Sequence, residues 1–123
     1  MRATWAFLGV LLGTVPCLAE DPTVVQADPL KNFNNTLHLK ATSITPAAGQ
    51  TIQSAQAVWR RKGNTDWIVG CFLGNPPGPY EGNTVNTFQA GDEIQTAIMV
   101  IVKDGANPPR QTGALAIKDY TVP

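Results

Sequence analysis

The chain has 123 residues, with nine basic and nine acidic side chains and a formal net charge of zero. A sequence with no excess of either charge has no field to attract nucleic acid or an anionic membrane surface, which excludes both as partners. The length sets a limit of one domain with one modest hydrophobic core.

The first nineteen residues have the order of a secretory signal peptide. A positive start at Met1-Arg2 precedes an apolar run to Val15, and small residues at Cys17 and Ala19 follow. This order predicts cleavage after Ala19. We therefore expect a secreted or periplasmic mature chain of residues 20–123 with no stable membrane insertion.

Two alternatives compete for the same segment. An uncleaved transmembrane anchor needs about 17–25 apolar residues, and the run here is at or below that length and contains Pro16. A lipoprotein signal acylated at Cys17 normally has a small residue before the cysteine, where this chain has Pro16. Cleavage after Ala19 is the prediction that we keep.

Residues 20–35 are polar and interrupted by Pro22 and Pro29, which predicts an extended and partly mobile leader. Asn34-Asn35-Thr36 has the pattern of an N-glycosylation acceptor, a triplet that also arises by chance.

Alternation begins at Leu37, with Leu39 and Ala41 on the same face, and predicts a half-buried strand. After a turn at residues 46–50, a second strand over 51–61 places Ala55, Ala57 and Trp59 on one side.

Two later runs are apolar on both faces, residues 67–73 and 94–102, and predict central strands that are covered on both sides. Residues 84–89 predict a weaker strand. Residues 113–122 predict the last strand, with Leu115 and Ile117 inward.

These elements predict an all-β domain over residues 36–123, an antiparallel two-layer β-sandwich of six to seven strands. Residues 88–94 place an apolar residue and a glycine corner before the alternating strand 97–102. This third of the chain resembles fibronectin type III and immunoglobulin-like modules. The corner tyrosine and the cysteine pair of such modules are absent, Ile94 standing where the tyrosine is expected. The resemblance implies an architecture and no activity.

Few residues are available for chemistry. Only His38 and Cys71 remain as histidine and cysteine after residue 19, whereas a zinc site needs three or four ligands. Neither a nucleophile elbow nor a phosphate loop is present, so we expect no enzyme, no cofactor and no metal. Asp92, Glu93 and Asp104 are interpreted as turn and surface residues. Cys71 lies in an apolar run and is interpreted as a buried thiol, with an intermolecular disulfide as the alternative.

The most distinctive segment is residues 74–83, which contains three prolines and a tyrosine, and Asn-Pro-Pro recurs at residues 107–109. Prolines restrict the backbone, so that a partner orders less of it on binding, and a sandwich collects its loops at two ends. We therefore predict a non-catalytic binding module for a protein, a cell-surface polymer or a second copy. The predicted binding residues are Asn75, Pro76, Pro77, Tyr80 and Arg110.

Four alternatives stay open. One is that the prolines serve only as rigid connectors that prevent edge pairing. The second is a structural or accessory subunit that pairs by a sheet edge, and the third is a small secreted enzyme inhibitor. The fourth is that Trp59 and Trp67 form an aromatic platform for sugar, although core packing is expected for at least one of them. Arg60-Arg61-Lys62 is interpreted as a solvated turn.

Overall fold

Nine strands form two antiparallel sheets in the computed structural model, which describes residues 20–123. The predicted signal peptide lies outside the described residues. The two sheets confirm the predicted all-β sandwich. In chain order the strands are β1 (Thr23–Gln26), β2 (Leu30–Lys31), β3 (Leu37–Thr45), β4 (Gln50–Arg61), β5 (Ile68–Gly74), β6 (Tyr80–Asn83), β7 (Glu93–Asp104), β8 (Arg110–Gln111) and β9 (Leu115–Thr121).

The nine strands occupy seven positions. Ala41 pairs with β1 and with β6, and His38 pairs with β2 and with β6. Because a strand has only two sides, β1 and β2 lie end to end on the same side of β3. By the same reasoning β8 and β9 share the side of β7 that faces away from β4. One sheet is therefore β1/β2–β3–β6, and the other is β5–β4–β7–β8/β9.

The core lies between the two sheets, where alternate side chains of the long strands meet. The predicted inward faces of β3 and β4 are confirmed, because Leu37, Leu39, Ala55 and Ala57 are all buried. The ring of Trp59 packs edge-on against Phe88 at a centroid distance of 4.8 Å. The other buried apolar residues of this core are Ala41, Leu73, Ile94, Ile98, Val100, Val102 and Val122.

The segment that we expected to be a leader contributes two strands to the three-position sheet. β1 pairs with the far half of β3, and β2 pairs with its first two residues. The backbone N–H of Ala27, between them, donates to the carbonyl of Lys40 at 2.9 Å. Residues 20–35 therefore form an edge of the sandwich, which their polar sequence does not reveal.

The prediction that residues 67–73 form a central strand covered on both faces is wrong. β5 lies at the edge of its sheet and pairs only with β4. Val69 and Phe72 are 56% and 59% exposed, because no layer covers the outer face of this strand within the described residues. For residues 94–102 the predicted central position is confirmed, because β7 is paired on both sides. Coverage of both faces is not confirmed, because Ile98 and Val100 on one face are buried whereas Met99 and Ile101 on the other are only half-buried.

The strand predicted over residues 84–89 is also wrong. The strand lies earlier, at β6, inside the segment predicted as a proline-rich loop. Residues 84–89 are irregular, and side chains hold them in place. The Thr84 hydroxyl accepts from the Leu37 N–H and donates to the Asn86 carbonyl, and Phe88 is buried beside Trp59.

The last strand departs from its predicted alternation at Ala116. This residue has a φ of 54°, and the pairing of β7 with β9 shifts register between Thr96 and Ile98. Leu115 packs against the core, but Ile117 is 49% exposed instead of inward. A bulge of this kind turns the side chains that follow it to the other face.

Candidate functional site

Three connections meet at one end of the sandwich: residues 46–49, 75–79 and 105–109. Antiparallel order brings them there, because β3 ends where β4 begins, β5 ends where β6 begins, and β7 ends where β8 begins. The Gly105 N–H donates to the Gly49 carbonyl at 2.9 Å, which joins two of the three. Both proline-containing loops singled out in the sequence lie at this end, and the strand order places the 46–49 turn between them.

An open cleft of ≈ 770 Å³ lies at this end between the two sheets. This volume is within the range of about 300–1,000 Å³ that is typical of ligand sites. One wall is the second half of β3, the other is the start of β4, and the proline-rich loop borders both. The lining residues are Lys40, Ala41, Thr42, Ser43, Ile44, Pro46, Gln50, Thr51, Ile52, Pro76, Pro77, Pro79 and Tyr80.

Two β-bulges shape the walls of the cleft. Thr42 is an extra residue in β3, because Ser43 pairs with Val25 and Ala41 with Gln26. Gln53 is an extra residue in β4, because Ile52 pairs with Val102 and Ser54 with Ile101. A bulge bends its strand and leaves the extra residue unpaired. Both strands therefore change direction where they border the cleft.

Tyr80 joins the cleft to the core. Its partner in β3 is Ala41, and its side chain packs against the core cluster, as do those of the lining residues Ile44 and Ile52. Partial burial of the phenol raises the pKa of Tyr80 above its ordinary value. The ring lies close enough to Gly78 that a Cβ there would come within 3.3 Å of it. The aromatic face is thus held by packing on one side and borders the cleft on the other.

Asn75 serves the loop and does not line the cleft. Its side-chain amide donates to the carbonyl of Gln53 at 3.0 Å, which satisfies a backbone acceptor of the β4 bulge. Its own carbonyl accepts from the Gly78 N–H at 2.8 Å and closes a turn. Asn75 therefore fixes the proline-rich loop to β4, which places Pro76 and Pro77 on the cleft.

Arg110 is likewise not one of the residues that line the cleft. Its guanidinium donates to Asp104 at 2.7 Å and to the Glu20 carbonyl at 2.7 Å, and it lies 3.6 Å from Asp21. Asp104 also accepts from the Gln50 amide at 2.8 Å. Hydrogen bonds from Arg110 and Gln50 hold the pKa of Asp104 below its ordinary value, and the bond to Asp104 raises that of Arg110. Of this cluster, only Gln50 lines the cleft.

The structure thus separates the five predicted site residues into two groups. Pro76, Pro77 and Tyr80 line the cleft, whereas Asn75 and Arg110 hold neighbouring segments in place. Sequence reasoning missed the β3 and β4 residues opposite the loop, above all Ile44 and Ile52. Their alternation marks them as strand residues, but nothing local shows that the sheets part there.

The tryptophans do not form a shared platform. Trp59 is a core residue whose indole N–H donates to the Asn86 side chain at 3.0 Å. Trp67 is half-buried beneath the guanidinium of Arg60, 4.0 Å from the ring centroid. Arg60 also donates to Gln95 and to the Thr65 carbonyl, so it is part of the packing of this turn.

Two other titratable residues considered in the sequence, His38 and Asp92, have structural partners. His38 Nε2 lies 2.9 Å from Glu81, and its Nδ1 lies 3.1 Å from Asn83. Asp92 accepts a hydrogen bond from the Gln89 N–H and pairs with Arg61 at 3.4 Å, so that its carboxylate stabilises the turn before β7. Over residues 20–123 no group of three or more His, Cys, Asp or Glu is placed to hold a metal ion. The part of the chain that the structure describes contains no apolar helix of membrane-spanning length.

Comparison with known proteins yields no relative. No family model matches the chain, and neither a curated protein nor a solved structure matches it.

Proposed function

We propose that the chain is an exported binding module whose ligand site is the cleft at the loop end of the sandwich. The observation that carries this proposal is the cleft itself, with its apolar side chains continuous with the core and its polar rim. Ile44, Ile52 and Tyr80 would bury apolar ligand surface, and the hydroxyls of the exposed residues Ser43 and Thr51 would offer hydrogen bonds. Such a combination is typical of preformed ligand sites.

The chemistry of the lining supports binding in preference to catalysis. The side chains that line the cleft are aliphatic groups, hydroxyls, an amide, one ammonium group, prolines and a phenol. These groups recognise a ligand by shape, hydrogen bonds and aromatic contact. The carboxylate of Asp104 accepts hydrogen bonds from Arg110 and from the lining residue Gln50, and these bonds give it a structural role.

A finer description of the fold is also part of the proposal. Three of the seven strand positions form one sheet and four form the other. In chain order β4 is the third position and β5 is the fourth, and the two are neighbours in the four-position sheet. Immunoglobulin-like sandwiches of variable type likewise extend the sheet that contains their third strand. Together with the resemblance of residues 88–102, this order supports an immunoglobulin-like or fibronectin type III-like module. The predicted signal peptide at residues 1–19 supports a secreted or periplasmic location.

Site-specific photo-crosslinking tests the proposal. Benzoylphenylalanine replaces Thr51 or Pro77, which border the cleft, or Asn64, a control on the exposed turn at the other end. After irradiation in the medium or periplasm of the source cells, we expect one common adduct from the two cleft positions and none from Asn64.

A blocked variant completes the test. Ser43 is an exposed lining residue, so that Ser43→Trp fills the mouth of the cleft without entering the core. We expect this substitution to abolish the adduct, while Asn64→Trp leaves it unchanged. Adducts that form equally from all three crosslinker positions, or from none, would contradict a ligand site in the cleft.

A structural subunit remains the second candidate, because one surface favours it. Ile68, Val69 and Phe72 on edge strand β5 are all exposed. Exposed apolar patches often mark protein interfaces. Sedimentation equilibrium decides between the two functions, since a subunit that pairs through β5 associates as concentration rises and Phe72→Ser suppresses it.

A further inference from the structure

One strand edge that borders the cleft is unpaired. β6 pairs with β3 from His38 to Ala41 and begins at Tyr80. Beyond Ala41, no strand of the described residues pairs with residues 42–45 on that side, whereas β1 occupies the other side. An unpaired edge of this kind presents backbone donors and acceptors to an incoming strand.

β4 has a similar gap on the facing wall. β5 pairs with β4 only from Ala55 to Trp59, which leaves residues 50–54 without a strand partner on that side. There the Gln53 carbonyl accepts its hydrogen bond from the Asn75 side chain. A side chain thus satisfies one acceptor of this edge of β4, whereas residues 20–123 provide no strand for the opposite edge, that of β3.

The proline-rich loop does not close either edge. Pro76, Pro77 and Pro79 have no backbone N–H and so cannot donate to a ladder. Before Tyr80 the chain also lies away from β3, because the Pro79 carbonyl lies beside Gly74, 3.1 Å from the position of a Cβ there. The space beside residues 42–45 therefore stays open.

The charge of the cleft indicates which ligand fits it. Lys40 is the one charged residue among the lining residues, and it forms no ion pair with a described carboxylate. Its cross-strand neighbour Glu81 is bonded to His38 at 2.9 Å. An acidic group on the ligand would complement Lys40 at the end of the cleft near Tyr80.

We propose that the cleft binds an extended acidic peptide, which adds to the free edge of β3 as a continuation of β6. The inference rests on the proposed function, since it names the ligand of the same site. The peptide runs antiparallel to β3, and four residues match the free edge at about 3.3 Å each. Its C-terminal end lies nearest Tyr80, so that its acidic residue meets Lys40. Its inward side chains contact Ile44 and Ile52.

The experiment selects peptides on the purified exported protein from a phage-displayed library of random ten-residue peptides. We expect an enrichment of acidic residues at one end of the selected sequences. Synthetic copies should lose at least about ten-fold in affinity when alternate backbone nitrogens are methylated, because N-methylation removes ladder donors. Lys40→Met should weaken binding about two- to five-fold, the effect of one exposed ion pair.

Amide exchange measured by NMR locates the peptide. We expect new protection within residues 42–45 on binding, which Ser43→Trp abolishes and Asn64→Trp preserves. Peptides that bind without this protection, or an empty selection while the crosslinks at Thr51 and Pro77 persist, would overturn the peptide inference and leave the proposed function standing. Loss of both the peptides and the crosslinks would overturn both.

Discussion

The hydroxyl of Thr96 in β7 donates a 2.7 Å hydrogen bond to the side-chain carbonyl of Gln26 in β1, and so joins the two sheets through the interior. Both residues are buried, Thr96 completely. The amide of Gln26 donates in turn to the Ala116 carbonyl at 2.8 Å, at the bulge of β9. A polar group in this position is stable only while it is paired.

We expect Thr96→Val to lower the free energy of unfolding by about 1–3 kcal/mol, because the Gln26 carbonyl loses its donor in the core. Gln26→Met should also destabilise, and the double variant should lose less than the sum of the two by about 0.5–3 kcal/mol. Urea unfolding of the four proteins measures this coupling. Additivity within about 0.3 kcal/mol would contradict the bond.

The lowered pKa of Asp104 predicts how the stability of the protein depends on pH. Its folded pKa is depressed, first by the hydrogen bond from Arg110 and then by that from Gln50. The unfolded chain therefore takes up the proton first, so the contribution is complete above the ordinary value of 3.8 and is lost as pH falls through the lower folded pKa.

Urea midpoints between pH 7 and pH 2.5 check this dependence. The stability difference between the wild type and Asp104→Asn should be constant above about pH 5 and shrink below the ordinary carboxyl pKa. Arg110→Met removes the hydrogen bond that lowers the Asp104 pKa most. We therefore expect the stability of this variant to change less with pH over the same range. A difference that stays constant down to pH 2.5 would show that Asp104 gains nothing from these bonds.

Cys71 should react slowly as a nucleophile. Burial raises the pKa of its thiol to about 11. At pH 8 about one molecule in a thousand then carries the thiolate, against about a quarter for an ordinary cysteine of pKa about 8.5. We expect iodoacetamide to alkylate the folded protein at least about a hundred-fold more slowly than the urea-unfolded chain. Rates within a few-fold of each other would instead indicate an accessible thiol, as an intermolecular disulfide requires.

Gly82 should tolerate no side chain. It lies where β6 crosses β5, and an added Cβ would come within 2.8 Å of the Phe72 carbonyl and 3.3 Å of the Cys71 sulfur. We expect Gly82→Ala to cost about 1–3 kcal/mol of stability, as overpacking does. Gly113→Ala is the matched control, because nothing lies within 4 Å of a Cβ there. Thermal unfolding compares the two variants, and an equal midpoint would contradict the close approach of these strands.

The candidate site was predictable in part. Prolines and Tyr80 identify a restricted loop from sequence alone, and the expected sandwich brings that loop to one end. The bulges at Thr42 and Gln53 were not predictable, because a bulge depends on how two strands pair and not on one strand's composition. The cleft exists where both bulged strands border the loop, so its β3 and β4 walls could not be found in advance.

The roles of Asn75 and Arg110 show the same limit. Their residue types suit recognition of a ligand as well as support of a loop. Only the contacts of Asn75 with the Gln53 carbonyl and of Arg110 with Asp104 distinguish the two roles. A polar side chain beside a loop is therefore a candidate until its partners are known.

The sequence by itself determined the β class, the inward faces of β3 and β4, and the central position of β7. These follow from alternation and from a run of branched apolar residues, which are local properties of the chain. The tertiary structure decided the rest. The equally apolar β5 became an exposed edge, and the polar residues 23–31 became paired strands. Strand order fixes which faces are covered, and that order depends on contacts between residues far apart in the chain.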